Sequence, residues 1–446
     1  MFEYTEDQLR SLADEALRHA RSIGATDAVV ELAENTGLNV NVRKGKVETI
    51  EKTRDKSFGV TVYVGQRRGH ASSSDFAIAP LRETVDAAFQ IARFTAEDDC
   101  AGLPDAELLA RHWRAPDMFH PWSIDADAAI ALACEAEDAA FATSPMVRNS
   151  DGASVSAGHG QFLLANSRGF AGGYPYSRHS LSCVPIAQRG REMQRDGWYS
   201  ADVRPDRLAD AAVLGRYAAE RSLARLGARR LPTGRVPVLF ESPLAIGLIG
   251  HLVQALSGGA LYRQSSFLLD SVGQQVFPSH VDLMEDPSLA AEPGSAPFDS
   301  EGVRTSKRRV VDAGVIQGYF LSTYSARKLG LPTTGNAGGS HNLRLRSRRT
   351  KPGDDLDAML RRLGTGLFVT DLMGQGVNYV TGDYSRGAGG YWVENGVIAY
   401  PVEEITIAGN LRDMFAGIVA IGADEIRRGA KRTGSILVEA MAVAGT

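Results

Sequence analysis

Residues 5–65 read TEDQLRSLADEALRHARSIGATDAVVELAENTGLNVNVRKGKVETIEKTRDKSFGVTVYVG. Leu9, Leu12, Ala13 and Leu17 recur at helical spacing. Thr5 stands where an N-cap belongs, and Gln8 three residues on completes a capping box. Gly24 closes the helix. From Asp27 the apolar period drops from about 3.6 to about 2. DAVVELAE, LNVNVRK, VETIEK and FGVTVYVG then read as strands, with Lys44 and Gly45 at a hairpin tip. A helix feeding antiparallel strands is the pattern of an α+β protein.

Working outward, residues 80–94 carry a second helical pattern, and residues 96–124, with Pro104, Pro116 and Pro121, read as an irregular linker. The order then recurs: a helix over 125–142, strand-like runs over 147–199, and a helix over 205–226. Residues 54–59 (RDKSFG) are loosely echoed by residues 166–171 (NSRGFA). Two readings stay open here, a duplicated helix-sheet-helix unit and a chance likeness of two hairpins. The first gives an N-terminal α+β domain over 1–230 with helix-sheet repeats at 1–95 and 125–230. Leu231, Pro232, Thr233 and Gly234 mark the boundary to a strand-rich C-terminal domain over 231–446. There, RVPVLF predicts a strand and residues 243–256 a helix with Pro near its start. Ala313-Gly314 and Asn395-Gly396 predict hairpin turns. EEITIAG and SILVEAMAVAG supply further strands, and Asn410 caps a short helix over 411–416.

Composition narrows the function. The 446 residues carry 49 Lys and Arg against 53 Asp and Glu, a net charge of −4. That balance offers no general electrostatic reason to bind nucleic acid. The most apolar run, residues 244–256, contains His251 and Gln254 and falls short of the ~20 residues of a spanning helix. The N-terminus lacks an apolar signal core, and three scattered cysteines make no disulfide framework. A soluble protein of the reducing cytoplasm is the expectation.

The common catalytic patterns fail one by one. None of the nine histidines lies three to five residues from another, so a local zinc motif is missing. There is no Gly-x-Ser-x-Gly elbow and no phosphate-binding P-loop. In MGQGVNYVTGDYSRGAGG, Tyr379 replaces the third glycine of a dinucleotide fingerprint. His251, on an apolar helix, and Glu241, at a strand-to-helix junction, are weak catalytic candidates. Packing explains the first and capping the second equally well. Arg344, Arg346, Arg348, Arg349 and Lys351 form a basic run, read as a solvated loop or as a phosphate-binding surface.

Longer strings carry a resemblance. GHLVQALSGGALYRQSSFLLDS, FDSEGVRT, LSTYSARKLGL, GNAGGSHN, LMGQGVNYVTGDYSRGAGGYWVENG and YPVEEITIAGNLRDMF closely resemble the TldD/PmbA family. Within it they are similar to the PmbA branch, also called TldE. GVTVYVGQRRGHASSSD, ANSRGFAGGYPYSRHSLSC and MQRDGWY extend the likeness into the N-terminal half.

The resemblance implies a cytosolic two-subunit peptidase acting on unfolded peptides, including peptide-antibiotic maturation. In that family the TldD-type subunit carries an HExxxH helix that binds zinc, plus a Cys ligand. If His251 takes the place of the second His, the first falls at Ile246, the Glu at Gly247 and the Cys near Thr433. The expectation is therefore a non-catalytic subunit with no cofactor of its own. Zinc is expected in a TldD-type heterodimer partner, with a homodimer when the chain is alone. Gly-rich segments let a peptide backbone approach closely, which makes Gly338, Gly339, His341, Asn342, Gly382, Asp383 and Arg386 candidate peptide-binding residues. Tight turns without a ligand are the other reading of the same glycines. Two alternatives remain. One is a regulator acting on DNA gyrase or another nucleic-acid enzyme, through the basic run. The other is a homo-oligomeric enzyme using Asp383, Arg386, Glu394 and His341.

Overall fold

The computed structural model describes residues 2–445; residues 1 and 446, the outer ends of the two expected domains, lie outside the described residues. The N-terminal part begins with α1 (Glu6–Ser22), β1 (Asp27–Arg43), β2 (Lys46–Val64), β3 (Arg67–Ser73) and α2 (Ile78–Phe94). It continues with α3 (Ala126–Thr143), β4 (Val147–Asn166), β5 (Ala171–Gly172), β6 (Pro175–Arg189), β7 (Glu192–Arg195), β8 (Trp198–Asp202) and α4 (Ala211–Ala224). The α1 capping box forms as read, Thr5 and Gln8 each bonding the other's backbone N–H.

All eight strands make one sheet in the order β3-β2-β1-β4-β6-β7, with β5 on β4 and β8 on β6. The strand readings need one correction. The four short runs between Asp27 and Gly65 are two long strands, because β1 and β2 stay paired without a break from Asp27↔Tyr63 to Asn41↔Thr49. The polar stretch around Asn35 to Gly37 is extended because it is paired on both sides, with β2 and with β4.

The order helix, three-strand path, helix occurs twice, and β1 and β4 join the halves antiparallel from Val29↔Asn166 to Val42↔Ala153. The short echo of residues 54–59 in residues 166–171 does not carry this recurrence. The first lies inside β2, whereas the second is the turn from β4 to β5. What recurs is the order of elements, so the sequence likeness is out of register.

Alternation decides the layers. Ala28, Val30, Leu32, Val40 and Val42 of β1 all point to the helical face. The first three pack with α1 and α2, the last two with α3 and α4. On the opposite face Val29, Phe162 and Leu164 meet Phe170 and Phe298, which ties the sheet to the C-terminal part. The expected helix over 205–226 is a 3₁₀ turn at Pro205–Arg207 followed by α4, which Asp210 caps through Val213 N–H.

The C-terminal part opens with β9 (Gly234–Phe240), α5 (Ser242–Ala255), α6 (Gly258–Tyr262), β10 (Val281–Glu285), β11 (Arg308–Asp312), β12 (Val315–Ile316) and α7 (Thr323–Leu329). There follow β13 (Leu343–Ser347), α8 (Leu356–Leu363), β14 (Gly366–Met373), β15 (Asp383–Glu394), β16 (Val397–Asn410) and α9 (Leu411–Ala416). The chain closes with β17 (Ile418–Ile421), β18 (Ile426–Arg428), β19 (Lys431–Thr433) and β20 (Ile436–Ala444). They form two six-stranded sheets, β12-β11-β10-β13-β19-β18 and β16-β15-β14-β9-β20-β17. One apolar core runs between them and encloses the inner side of α5. The predicted Asn395-Gly396 turn joins β15 to β16, and both residues take the positive φ such a turn demands. No helix among the described residues is long and apolar enough to cross a membrane.

Candidate functional site

Two places gather the singled-out residues, and the fold keeps them on different sheets. The first surrounds α5. Glu241 sits at its N-cap position but makes no cap bond to the helix. Its carboxylate instead accepts two bonds from Arg221 of α4, at 2.6 and 3.1 Å. Arg221 also reaches Asp196 at 3.3 Å and lies over the Trp198 ring. Burial raises the Glu241 carboxyl above its usual range, against the pull of Arg221. Glu241 thus pins the N-terminal part to the start of α5.

His251 lies farther along α5. Its Nδ1 is 2.8 Å from the Tyr379 hydroxyl, and its ring meets Tyr384 edge-on. Burial, helped by the charge of Arg386, pushes the imidazole down to about 4. Arg386, on β15, has a buried Nε without a hydrogen-bond partner. Gly382 and Asp383 are close by in sequence, but they serve a turn. Asp383 accepts from Thr381 Oγ1 at 2.6 Å and from Asn410 Nδ2 at 3.2 Å, and these bonds hold its carboxyl below the usual range.

The second place is a cleft of about 560 Å³ between the eight-stranded sheet and the segment leading into β13. Gly338, Gly339 and His341 line it, opposite Phe58, His70, Phe162 and Tyr174. Gly338 has φ +90°, and a Cβ there would stand 2.3 Å from Ser300 Oγ. The buried carboxylate of Glu285 shapes this segment. It accepts from His341 N–H and Asn336 Nδ2, each at 2.8 Å, and from Arg308 Nε at 2.7 Å. His341 Nε2 is tied to the Gly335 carbonyl at 2.9 Å. Asn342, by contrast, turns away from the cleft and latches Gly294, Ser295 and Asp286. The candidate peptide-binding residues are therefore split: three line the cleft, one braces its back, and three belong to the β15 end.

Asp299 is the cleft's most perturbed acid. Burial pushes it up to about 7, although amides of Glu301, Val303 and Ala337 donate to it at 2.9–3.0 Å. Sequence reasoning did not single out Asp299, His70 or Tyr174. FDSEGVRT contains Asp299, but only the packing of that segment against β1, β2 and β4 makes it part of a cleft. Glu394, which the enzyme alternative invoked, accepts a bond from the Trp392 indole on the exposed end of β15, 3.1 Å away. In the basic run, Arg344 pairs with Glu425 at 2.8 Å, and Arg348 with Asp282 and Asp312 at 2.8 and 2.6 Å.

Three family models match in succession, described as PmbA/TldA metallopeptidase domain 1 over residues 28–92, central domain over 119–226 and C-terminal domain over 233–445. The Metalloprotease PmbA of Escherichia coli O157:H7 is 45% identical over 439 residues, spanning 98% of this chain and 97% of that protein. The chain belongs to the PmbA/TldD metallopeptidase family. Within the PmbA/TldD family it sides with the PmbA branch. The Metalloprotease PmbA homolog of Haemophilus influenzae is 44% identical and is covered over 97% of its length, with 99% of this chain. A Bacteroides thetaiotaomicron structure, described as a candidate modulator of DNA gyrase, superposes with a TM-score of 0.92 at 25% identity, covering 99% of this chain and 100% of that one. TldE from Thermococcus kodakarensis shares the PmbA/TldD fold with a TM-score of 0.86 at 17% identity, over 97% of this chain and 100% of that one.

Proposed function

We propose that this chain is the non-catalytic, TldE-like subunit of a heteromeric zinc metallopeptidase acting on unfolded peptides, peptide-antibiotic precursors among them. The observation that carries the reading is the chemistry on α5. The positions of an HExxxH motif are occupied by Ile246, Gly247 and His251, and the Cys position falls near Thr433. β19, which holds Thr433, packs against α5. Their donor set does not fit zinc. An alkyl group, a hydrogen, one imidazole engaged by Tyr379 and a buried hydroxyl cannot supply the ligands or the general base. Zinc would then belong to a TldD-type partner.

The cleft supports a peptide-handling role. Glycines at 338 and 339 expose backbone to a ligand, and aromatic rings face them across the gap. Such a site gives affinity through main-chain contacts with little sequence selectivity.

The test is zinc per chain on tag-free protein purified alone, followed by peptidase assay with and without a TldD-type subunit. Metal near zero, and activity on an unfolded peptide only after the partner is added, is the expected result. Stoichiometric zinc with robust activity from the chain alone would overturn the reading.

A further inference from the structure

The sheet β12-β11-β10-β13-β19-β18 carries an unusual transverse row. Met284 pairs with Arg309 on one side and Arg344 on the other. Arg344 pairs in turn with Arg432, and Arg432 with Arg427. Four arginines therefore fill one row across five strands. Like charges set directly opposite on neighbouring strands are destabilising, so this arrangement needs a compensating cause.

Part of the compensation is internal. Glu292 reaches both Arg427 and Arg432, Glu425 reaches Arg344, and Asp312 reaches Arg309. It stops short of Arg346, two residues along β13 on the same outward face. The Arg346 and Lys431 side chains have no acidic partner among the described residues. The row and these two side chains line a pocket of about 470 Å³, within the range of small-molecule sites. Seven cations line it; five of them are paired with Asp286, Glu292, Asp202, Asp312 and Glu425, which leaves the charges of Arg346 and Lys431 uncompensated. Met284, Leu289 and Leu343 give it an apolar wall.

We propose that this pocket binds a small ligand bearing clustered phosphate oxygens. Arg346 offers a guanidinium without a carboxylate partner beside the arginine row, and such a fork matches phosphate and carboxylate oxygens two at a time. Carboxylate is the other source of such oxygens. The pocket shares no lining residue with the cleft or with α5.

Inorganic pyrophosphate is the probe, titrated calorimetrically into the full chain at low and moderate salt, with citrate and a DNA duplex as comparators. Saturable binding that weakens with salt is expected. Arg346→Ala should weaken it about tenfold, the loss of one charge-assisted contact, and Arg344→Ala with Arg346→Ala should abolish it. Melting temperatures of the unliganded variants show that they fold. Failure of pyrophosphate to bind, unchanged affinity in folded variants, or tighter binding of citrate or DNA would each overturn the assignment.

Discussion

At the scale of single residues, His251 is the most informative group. Its folded imidazole stays neutral down to about 4, whereas an unfolded one takes a proton near 6.5. Below pH 6.5 the unfolded chain binds more protons, so stability falls as pH drops from 6.5 towards 4. The effect is bounded by about 3 kcal/mol, less whatever solvent screening removes. Denaturant melts across that range should show the slope, and His251→Gln should flatten it. The residue scale is also where sequence reading divides most clearly. Thr5 and Asn410 were legible as caps because capping is decided within three or four residues. Glu285 and Asp299 were not, since their partners come from segments far along the chain.

At the scale of elements, close approach decides which glycines matter. Gly215 of α4 lies where a Cβ would stand 1.8 Å from the Ala136 carbonyl oxygen of α3. Gly215→Ala should push the helices apart and cost about 3 kcal/mol in a denaturation experiment. Gly247 of α5 faces open space. Gly247→Ala should add about 0.5–1 kcal/mol through helix propensity alone. The junction of α4 and α5 makes a third case. Arg221→Ala strands the buried Glu241 carboxylate and should cost about 3–5 kcal/mol. Adding Glu241→Gln should restore part of that loss, because a neutral amide replaces the uncompensated charge. The longer helices were readable to within a few residues from their stripes and caps, whereas the short α6, α7 and α8 were not read. The long strands were not, because the polar middle of β1 is extended only by virtue of its two neighbours.

At the scale of the whole molecule, the three-sheet architecture places the cleft between the parts and α5 at the centre of the C-terminal core. The α+β character and the strand-rich second half were legible from the period of apolar residues. The single eight-stranded sheet was not, because its central pairing joins residues far apart in sequence. The candidate site was half legible: glycine-rich strings marked where backbone lies open, but packing alone separated Gly338 and His341 from Asp383 and Arg386. That central pairing also constrains how the chain matures. On a ribosome, Val29 emerges long before Asn166, its partner across the seam. Until β4 arrives, β1 presents an unpaired edge with its even-numbered apolar residues only partly covered, which is the kind of surface that recruits another strand. The newborn first half is thus the stage most exposed to misassembly, and a holdase acting on nascent chains would find its target there.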